Sequence, residues 1–466
     1  MLYLAEGISS KSVEEYVREC DANGIYIRAL QIIKGKEPVV RLCFEPYDFE
    51  TPMHLYSLSK SFTSTAVGIC VDDGLLTPDT KMCELFADKM PAEMTDALKK
   101  LRLHDLLSMQ SGHTACVLDR IRWSDDTVRA FFEQPTTYEP GTTFAYSTAA
   151  TCMCAAAVER VTGKKLVDFL DERLFSKLDI KKPIWWECRD GQTLGGTGLH
   201  LSSNDLVKFA MLLKNKGVYN GQRIVSEEYL KLATSTHSVD VNNGSPDWTA
   251  GYGYQFWMNA REGFRGDGAF GQLCMVFPES DITLVLNGEV GNMALEVELI
   301  YKLLDTMYGE SGDTSKFERF LDTHYIPERK NDFNNDISFT VADNAAEVET
   351  LRLFGERLLH VELGTAYGRK EFVCGNGEYI LNHYMMKNMS PSITFLDPAV
   401  NTVERQSVLA AYEYCGDSRV LITLRHKNTC HVQHWVIDLD KNVVDISLHV
   451  GDMICNHFEL APMASE

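Results

Sequence analysis

A serine hydroxyl attacks a carbonyl only when a base removes its proton, and a lysine becomes such a base once burial has lowered its pKa. Ser57 and Lys60 stand three positions apart in Ser57-Leu58-Ser59-Lys60, the sole Ser-x-x-Lys of the chain. The apolar residues that follow, Phe62, Ala66, Ile69 and Cys70, recur at helical spacing, which predicts that the Ser57 and Lys60 side chains share a face. A solvated helix start has the same spacing, so the pair needs company elsewhere in the sequence.

Tyr146 is the second candidate. It sits at the end of the turn Glu139-Pro140-Gly141-Thr142-Thr143-Phe144-Ala145-Tyr146, just before a long helical run. A phenol held near Lys60 can pass a proton between Ser57 and a leaving group; the alternative is an amphipathic tyrosine covering a core. The third is Gly266-Asp267-Gly268-Ala269-Phe270-Gly271, which fits Gly-x-Gly-x-x-Gly. A dinucleotide site needs a helix after this motif, whereas residues 272–277 are strand-like and end at Pro278. A glycine-rich strand instead permits close backbone approach, and its amides can aim at a developing oxyanion. Trp123, Trp185 and Trp186 either line an acyl or leaving-group pocket or pack a core, and Trp123 is kept as a substrate-binding candidate. His54, His104, His113, His200 and His237 show no metal spacing, so neither metal nor cofactor is expected.

The elements that must position these residues can be read from periodicity. Residues 12–20 read as a helix, and 25–33 and 38–44 as two strands joined at Lys34-Gly35-Lys36. The stretch 101–232 reads as mostly helical, with the clearest helices ending at Gly163 and Gly217. Residues 272–277 and 282–287 read as a hairpin around Pro278-Glu279-Ser280-Asp281, and 293–308 as a closing helix. Strands at both ends thus enclose a helical insert. The polar stretch around 313–336 reads as a linker between a domain at 1–312 and one at 337–466. In the latter, 371–374, 379–384, 420–425, 431–438 and 443–450 read as strands of an antiparallel β domain whose edges could also serve self-association.

Composition narrows the function. With 466 residues the chain exceeds the size at which one core stops growing. A formal charge of −21 with no basic run disfavours nucleic acid and anionic lipid as partners. No segment has the length and apolarity of a membrane span, and the thirteen cysteines follow no disulfide or zinc framework. A soluble cytoplasmic protein with reduced thiols is expected.

The three stations, in this order, resemble the serine hydrolases related to class C β-lactamases and penicillin-binding DD-peptidases, a family that also holds esterases, D-aminopeptidases and amide hydrolases. The resemblance spans residues 30–304. It rests on Ser57 and Lys60 within Tyr56-Ser57-Leu58-Ser59-Lys60-Ser61-Phe62-Thr63, and on Pro140, Gly141, Phe144, Tyr146 and Ser147. Leu106-Leu107-Ser108-Met109-Gln110-Ser111-Gly112, Val161-Thr162-Gly163 and Gly195-Gly196-Thr197-Gly198-Leu199 add to it. It implies a β-lactamase/transpeptidase-like α/β (α+β) fold, with a central antiparallel sheet flanked by helices and a C-terminal, possibly barrel-like, β domain. It also implies an acyl-enzyme on Ser57, with Lys60 and Tyr146 relaying its proton, and an oxyanion hole from the amides of Ser57 and Ala269.

Two departures bear on substrate. Thr148 stands where the family has Asn, and Gly266-Asp267-Gly268 stands where it has Lys-Thr-Gly or His-x-Gly. Ordinary penicillin hydrolysis is therefore not expected. Thr148, Asp267 and Gly268 are the expected substrate contacts, with Asp267 favouring a neutral or cationic group and Arg265 offsetting its charge. The reading is a hydrolase of a small amide, peptide or ester. An acyltransferase using the same residues, and a ligand-binding sensor of the same fold, are the alternatives.

Overall fold

The structure, a computed structural model, describes residues 1–344, 348–365, 368–384 and 406–462. Parts of the predicted C-terminal domain, residues 345–347, 366–367, 385–405 and 463–466, lie outside the described residues. Seven strands form one sheet in the spatial order Leu2–Leu4, Glu37–Cys43, Ile25–Lys34, Ile282–Val290, Gln272–Phe277, Phe264–Gly268, Trp257–Met258. The hairpin expected around Pro278 is present, running antiparallel from Phe277 opposite Ile282 to Gln272 opposite Asn287.

The chain divides into two compact units, each assembled from separate stretches of sequence. One comprises residues 30–40 and 54–287. At its centre lies the helix Ser59–Asp72, whose residues 59–70 are all buried, so it is surrounded rather than amphipathic. It packs against the helix Thr148–Thr162. That helix starts where the Ser147 hydroxyl accepts from the Ala150 amide and stops at Gly163, whose φ of 67° is the left-handed cap expected from the sequence.

The other unit comprises residues 1–29, 41–53 and 288–466. Residues 313–336, expected to be a linker, contain the helix Ser315–Thr323, in which Phe317 and Leu321 are buried. Its apolar residues are few but lie four apart on one face, so a polar average concealed an amphipathic helix. The following strands form a ten-stranded sheet. It includes the strands read from sequence and also Asp336–Thr340, Val348–Gly355, Leu359–Thr365, Gln406–Tyr414 and Met453–Leu460. A bridge between Val341 and Pro462 brings its two ends together, and its core holds Trp435, Phe372, Leu353, Val361 and Ile422. The sheet thus closes on itself around a filled core, as in a small barrel.

In the same unit Glu289 receives hydrogen bonds from Arg28 Nε at 2.8 Å and from the Tyr47 hydroxyl at 2.7 Å. Arg425 Nη1 lies 3.4 Å from the same carboxylate. Burial pushes the Glu289 pKa up, but Arg28 and Arg425 outweigh it and hold the carboxyl below its ordinary value. Removing the shared anion leaves two buried guanidinium groups unpaired. Glu289→Ala should therefore destabilise the protein by about 3–5 kcal/mol, read from chemical unfolding.

Candidate active site

Ser57, the candidate nucleophile, lies in a tight 3-10 turn, Tyr56–Leu58, running directly into the helix Ser59–Asp72. Tyr56 takes a left-handed φ of 48°, a conformation that costs a non-glycine residue about 1–3 kcal/mol. Packing over-determines it: the ring lies against His54, with centroids 3.9 Å apart, and against Phe270 at 5.3 Å. The turn leaves Ser57 partly exposed while Lys60, in the first turn of the helix, is 1 % exposed.

Lys60 Nζ donates to Ser57 Oγ at 3.0 Å, to Thr148 Oγ1 at 3.1 Å and to the Gly196 carbonyl at 2.8 Å. All three acceptors are neutral. Burial pulls the Lys60 pKa from 10.5 down to about 7, against the opposing pull of Cys116 and Asp267. The ammonium sits 4.8 Å from the centre of the Tyr146 ring. Burial pushes the Tyr146 phenol well up, and a hydrogen bond with the Ser57 side chain partly opposes this. Ser57, Lys60, Tyr146 and Thr148, taken from two distant stretches of sequence, therefore form one network.

The placement of Tyr146 has local causes. Met109, with a left-handed φ of 60°, accepts from the Ala145 amide through its carbonyl at 2.8 Å and from the Ser147 amide through its sulfur at 3.2 Å. The residues on both sides of Tyr146 are thereby fixed. Its ring stacks on Trp257 at 5.7 Å and meets Tyr252 edge-on at 6.1 Å. Neither Tyr252 nor Trp257 was singled out in the sequence, although the aromatic run Tyr252-Gly253-Tyr254-Gln255-Phe256-Trp257 was the available signal. The Gly196 carbonyl was also missed, because a backbone acceptor leaves no side-chain signature.

Residues 10–303 match the family model described as Beta-lactamase. The chain belongs to the β-lactamase family. It is a serine hydrolase. Among its relatives, the 6-aminohexanoate-dimer hydrolase of Paenarthrobacter ureafaciens is 26 % identical over 282 residues, covering 55 % of this chain and 71 % of the relative. Of solved structures, EstCE1, a hydrolase with promiscuous acyltransferase activity, is 15 % identical with a TM-score of 0.53, over 64 % of this chain and 99 % of its own. The octameric penicillin-binding protein homologue of Pyrococcus abyssi is 14 % identical with a TM-score of 0.50, over 97 % of this chain and 99 % of its own. The last of these likenesses extends over both parts of the chain.

The third station of this β-lactamase-family chain is the strand Phe264–Gly268 and the turn after it. A Cβ on Gly268 would stand 2.2 Å from the Leu55 carbonyl oxygen and 3.2 Å from the Leu58 amide nitrogen. A Cβ on Gly266 would stand 2.2 Å from Leu58 Cδ1 and 2.8 Å from Ser61 Oγ. The strand thus lies directly on the turn that carries Ser57, and the space beside Gly266 is filled by the Leu58 and Ser61 side chains. Phe270 and Gly271, with φ of 64° and 77°, turn the chain back, and the Gln272 side chain donates to the Phe270 carbonyl at 3.0 Å. Ala269 is the residue between strand and turn.

Strand alternation puts Arg265 and Asp267 together on the opposite face. Arg265, fully buried, donates from Nε to Asp267 at 2.9 Å and lies 3.8 Å from the Asp247 carboxylate. Burial pushes the Asp267 pKa up while Arg265 opposes it. Trp123 stands outside the hydrogen-bonded network; it is 39 % exposed, with Arg122 over its ring at 5.0 Å.

A lysine that is the base must be unprotonated to act. Because Lys60 releases its proton near pH 7 in the folded protein, kcat/KM for an ester should rise with pH and level off above an apparent pKa near 7. A pH profile between 5 and 9 checks this.

Proposed function

We propose that Ser57 is the acylated nucleophile, Lys60 the base, and Tyr146 the group that hands the proton on to the leaving group. The observation that carries this reading is the 3.0 Å contact between Ser57 Oγ and a fully buried lysine titrating near pH 7. Ser57 Oγ bonds to the carbonyl carbon as its proton passes to Lys60 Nζ. The resulting oxyanion takes hydrogen bonds from the amides of Ser57 and Ala269. Collapse breaks the bond to the leaving group, which receives a proton from the Tyr146 hydroxyl, itself resupplied by Lys60. Water then attacks the ester, and the same groups return Ser57 to its starting state. Burial keeps the Tyr146 phenol protonated, which suits it to donate and leaves proton abstraction to Lys60.

In this reading Thr148 keeps the Lys60 contact that an Asn would make, but offers one hydroxyl in place of an amide's separate donor and acceptor. Its place beside Lys60, with Gly268 against the nucleophile turn, supports both as substrate contacts. Gly266 supplies no cation, so a substrate carboxylate lacks its family partner there. Arg265 lies within ion-pair distance of both Asp267 and Asp247, so that cation is held behind the strand and is not offered to a substrate carboxylate. We therefore assign a neutral or amine-bearing small amide or ester, or a short peptide, as substrate.

We place catalysis in residues 1–312 and give 337–466 an accessory role, across the segment 313–336. Among the described residues no helix is long and apolar enough to cross a membrane. A cytoplasmic setting fits the thirteen free cysteines, and self-assembly is part of the reading, to be read by sedimentation.

The deciding measurement is intact-mass spectrometry after exposure to a fluorophosphonate. One adduct is expected on the wild-type protein and none on Ser57→Ala; equal labelling of both, or none on folded wild type, would point to a ligand-binding sensor. Ala269→Pro, which deletes one oxyanion donor, should lower kcat by about 10²–10³-fold. Added amine or alcohol acceptors, with product analysis, separate hydrolysis from acyl transfer.

A further inference from the structure

Gln255 is 2 % exposed and takes a left-handed φ of 66°. A glycine would adopt that conformation without strain, so a buried glutamine held there marks a place where the surroundings over-determine the backbone. Its side-chain nitrogen donates to the carbonyls of Leu106 at 3.3 Å and Leu107 at 2.8 Å, and its side-chain oxygen accepts from the Thr151 hydroxyl at 2.6 Å. Its backbone amide donates to the Leu107 carbonyl at 3.2 Å, and its own carbonyl accepts from the Ser61 hydroxyl at 3.0 Å. Peptide carbonyls only accept, which fixes the orientation of the amide and makes Thr151 the donor. These partners adjoin the three stations of the site. Ser61 follows Lys60 in the helix Ser59–Asp72, and Thr151 stands three positions after Thr148 on one face of the helix Thr148–Thr162. Leu107 lies two residues before Met109, which holds the amides on both sides of Tyr146.

We propose that Gln255 is a positioning residue for the reaction: it locks the Lys60 helix, the Thr148 helix and the segment behind Tyr146 into the register in which Lys60 Nζ reaches both Ser57 Oγ and Thr148 Oγ1. The inference rests on the reading of Ser57 as the acylated nucleophile. The hydrogen bonds of Gln255 go to none of the reacting groups, so its effect passes through the elements it joins. Ser61 and Thr151 are buried, and water does not replace the glutamine as their partner. A methionine there keeps the side-chain volume but leaves the Thr151 hydroxyl and two carbonyls without their bonds. The three elements then shift to satisfy those groups, and water gains access to Lys60. Burial is what lowers the Lys60 pKa, against Cys116 and Asp267, which raise it; hydration therefore moves it upward. Tyr146, whose ring lies 4.8 Å from the ammonium, is kept protonated by burial, so the change at Lys60 is not masked by a second titration.

The test is the second-order rate at which a fluorophosphonate labels the full chain between pH 5 and 9, read by intact mass below the unfolding temperature of each variant. Gln255→Met should raise the midpoint of the pH profile by about one unit, which alone slows labelling at pH 7 about fivefold. Its high-pH plateau should also fall about tenfold, because the reacting atoms are no longer held in line. Thr151→Val, which removes a single hydrogen bond to Gln255, should lower the plateau about threefold, and adding it to Gln255→Met should have no further effect. A residue that only stabilises the fold would lower the unfolding temperature and leave the midpoint and plateau of the folded protein where they are. Wild-type midpoint and plateau in folded Gln255→Met, or effects of the two substitutions that simply add, would overturn the proposal while leaving the Ser57 reading intact. If Gln255→Met does not fold, Thr151→Val decides: a lowered plateau supports the proposal and a wild-type profile overturns it. No labelling of wild type would remove the Ser57 reading and this inference together.

Discussion

Removing the Lys60 ammonium from water is the constraint around which the unit of residues 30–40 and 54–287 is arranged. Lowering its pKa from 10.5 to about 7 corresponds to about 5 kcal/mol of preference for the neutral amine. That preference survives only while the surroundings stay dry and uncharged. The helix that carries Lys60 is buried on every side through its first three turns, and the groups that receive its hydrogen bonds are two hydroxyls and a peptide carbonyl. A carboxylate in any of those places would have returned the lysine to its ordinary charged state.

Such a lysine also needs backbone close by, and glycine supplies it. A Cβ on Gly196 would stand 2.8 Å from Thr148 Cγ2, and one on Gly195 would stand 2.7 Å from Ala155 Cβ. Only without side chains can this segment lie on the helix Thr148–Thr162 and turn its carbonyls toward the Lys60 helix, where Gly195 accepts from Thr63 Oγ1 at 2.7 Å. Gly266 and Gly268 do the same from the opposite side, pressed on Leu55, Leu58 and Ser61. The Lys60 helix is thus gripped between two glycine-bearing segments, and the Lys60 amine donates to a carbonyl of one of them.

This division explains what was legible in the sequence. Ser57 and Lys60 were readable because helical spacing is local, and Tyr146 because a turn rich in Pro and Gly delivers it to a capped helix. The Gly196 carbonyl was not, since any residue supplies a carbonyl and only the packing of Gly195 and Gly196 selects this one. Arg265 was read as an offset for Asp267, and the ion pair is present; that Leu58 and Ser61 fill the space beside Gly266 required a tertiary contact. In the C-terminal part, strands with alternating Val, Ile and aromatic residues stood out. Val348–Gly355, with Glu349, Thr350 and Arg352 interleaved, and Gln406–Tyr414, with two alanines, did not. The helix Ser315–Thr323 was hidden because its two buried residues were averaged with seven others.

The two units solve the problem of a buried base in opposite ways. Arg28 and Arg425 share the carboxylate of Glu289, so burial leaves them charged and structural. Lys60 has neutral acceptors, and Asp267, which does act on it electrostatically, is held at 2.9 Å by Arg265. The carboxylate that would have kept the lysine protonated is engaged by a guanidinium on the far face of its own strand. A carboxylate has two oxygens and Asp267 directs one to Arg265 Nε, so the pair restrains the aspartate both in position and in charge. Burial then dominates at Lys60, and the group reaches the range in which it can accept a proton from Ser57 and give it up again. Whether a buried cation here is an anchor or a base follows from whether an anion has been left within its reach.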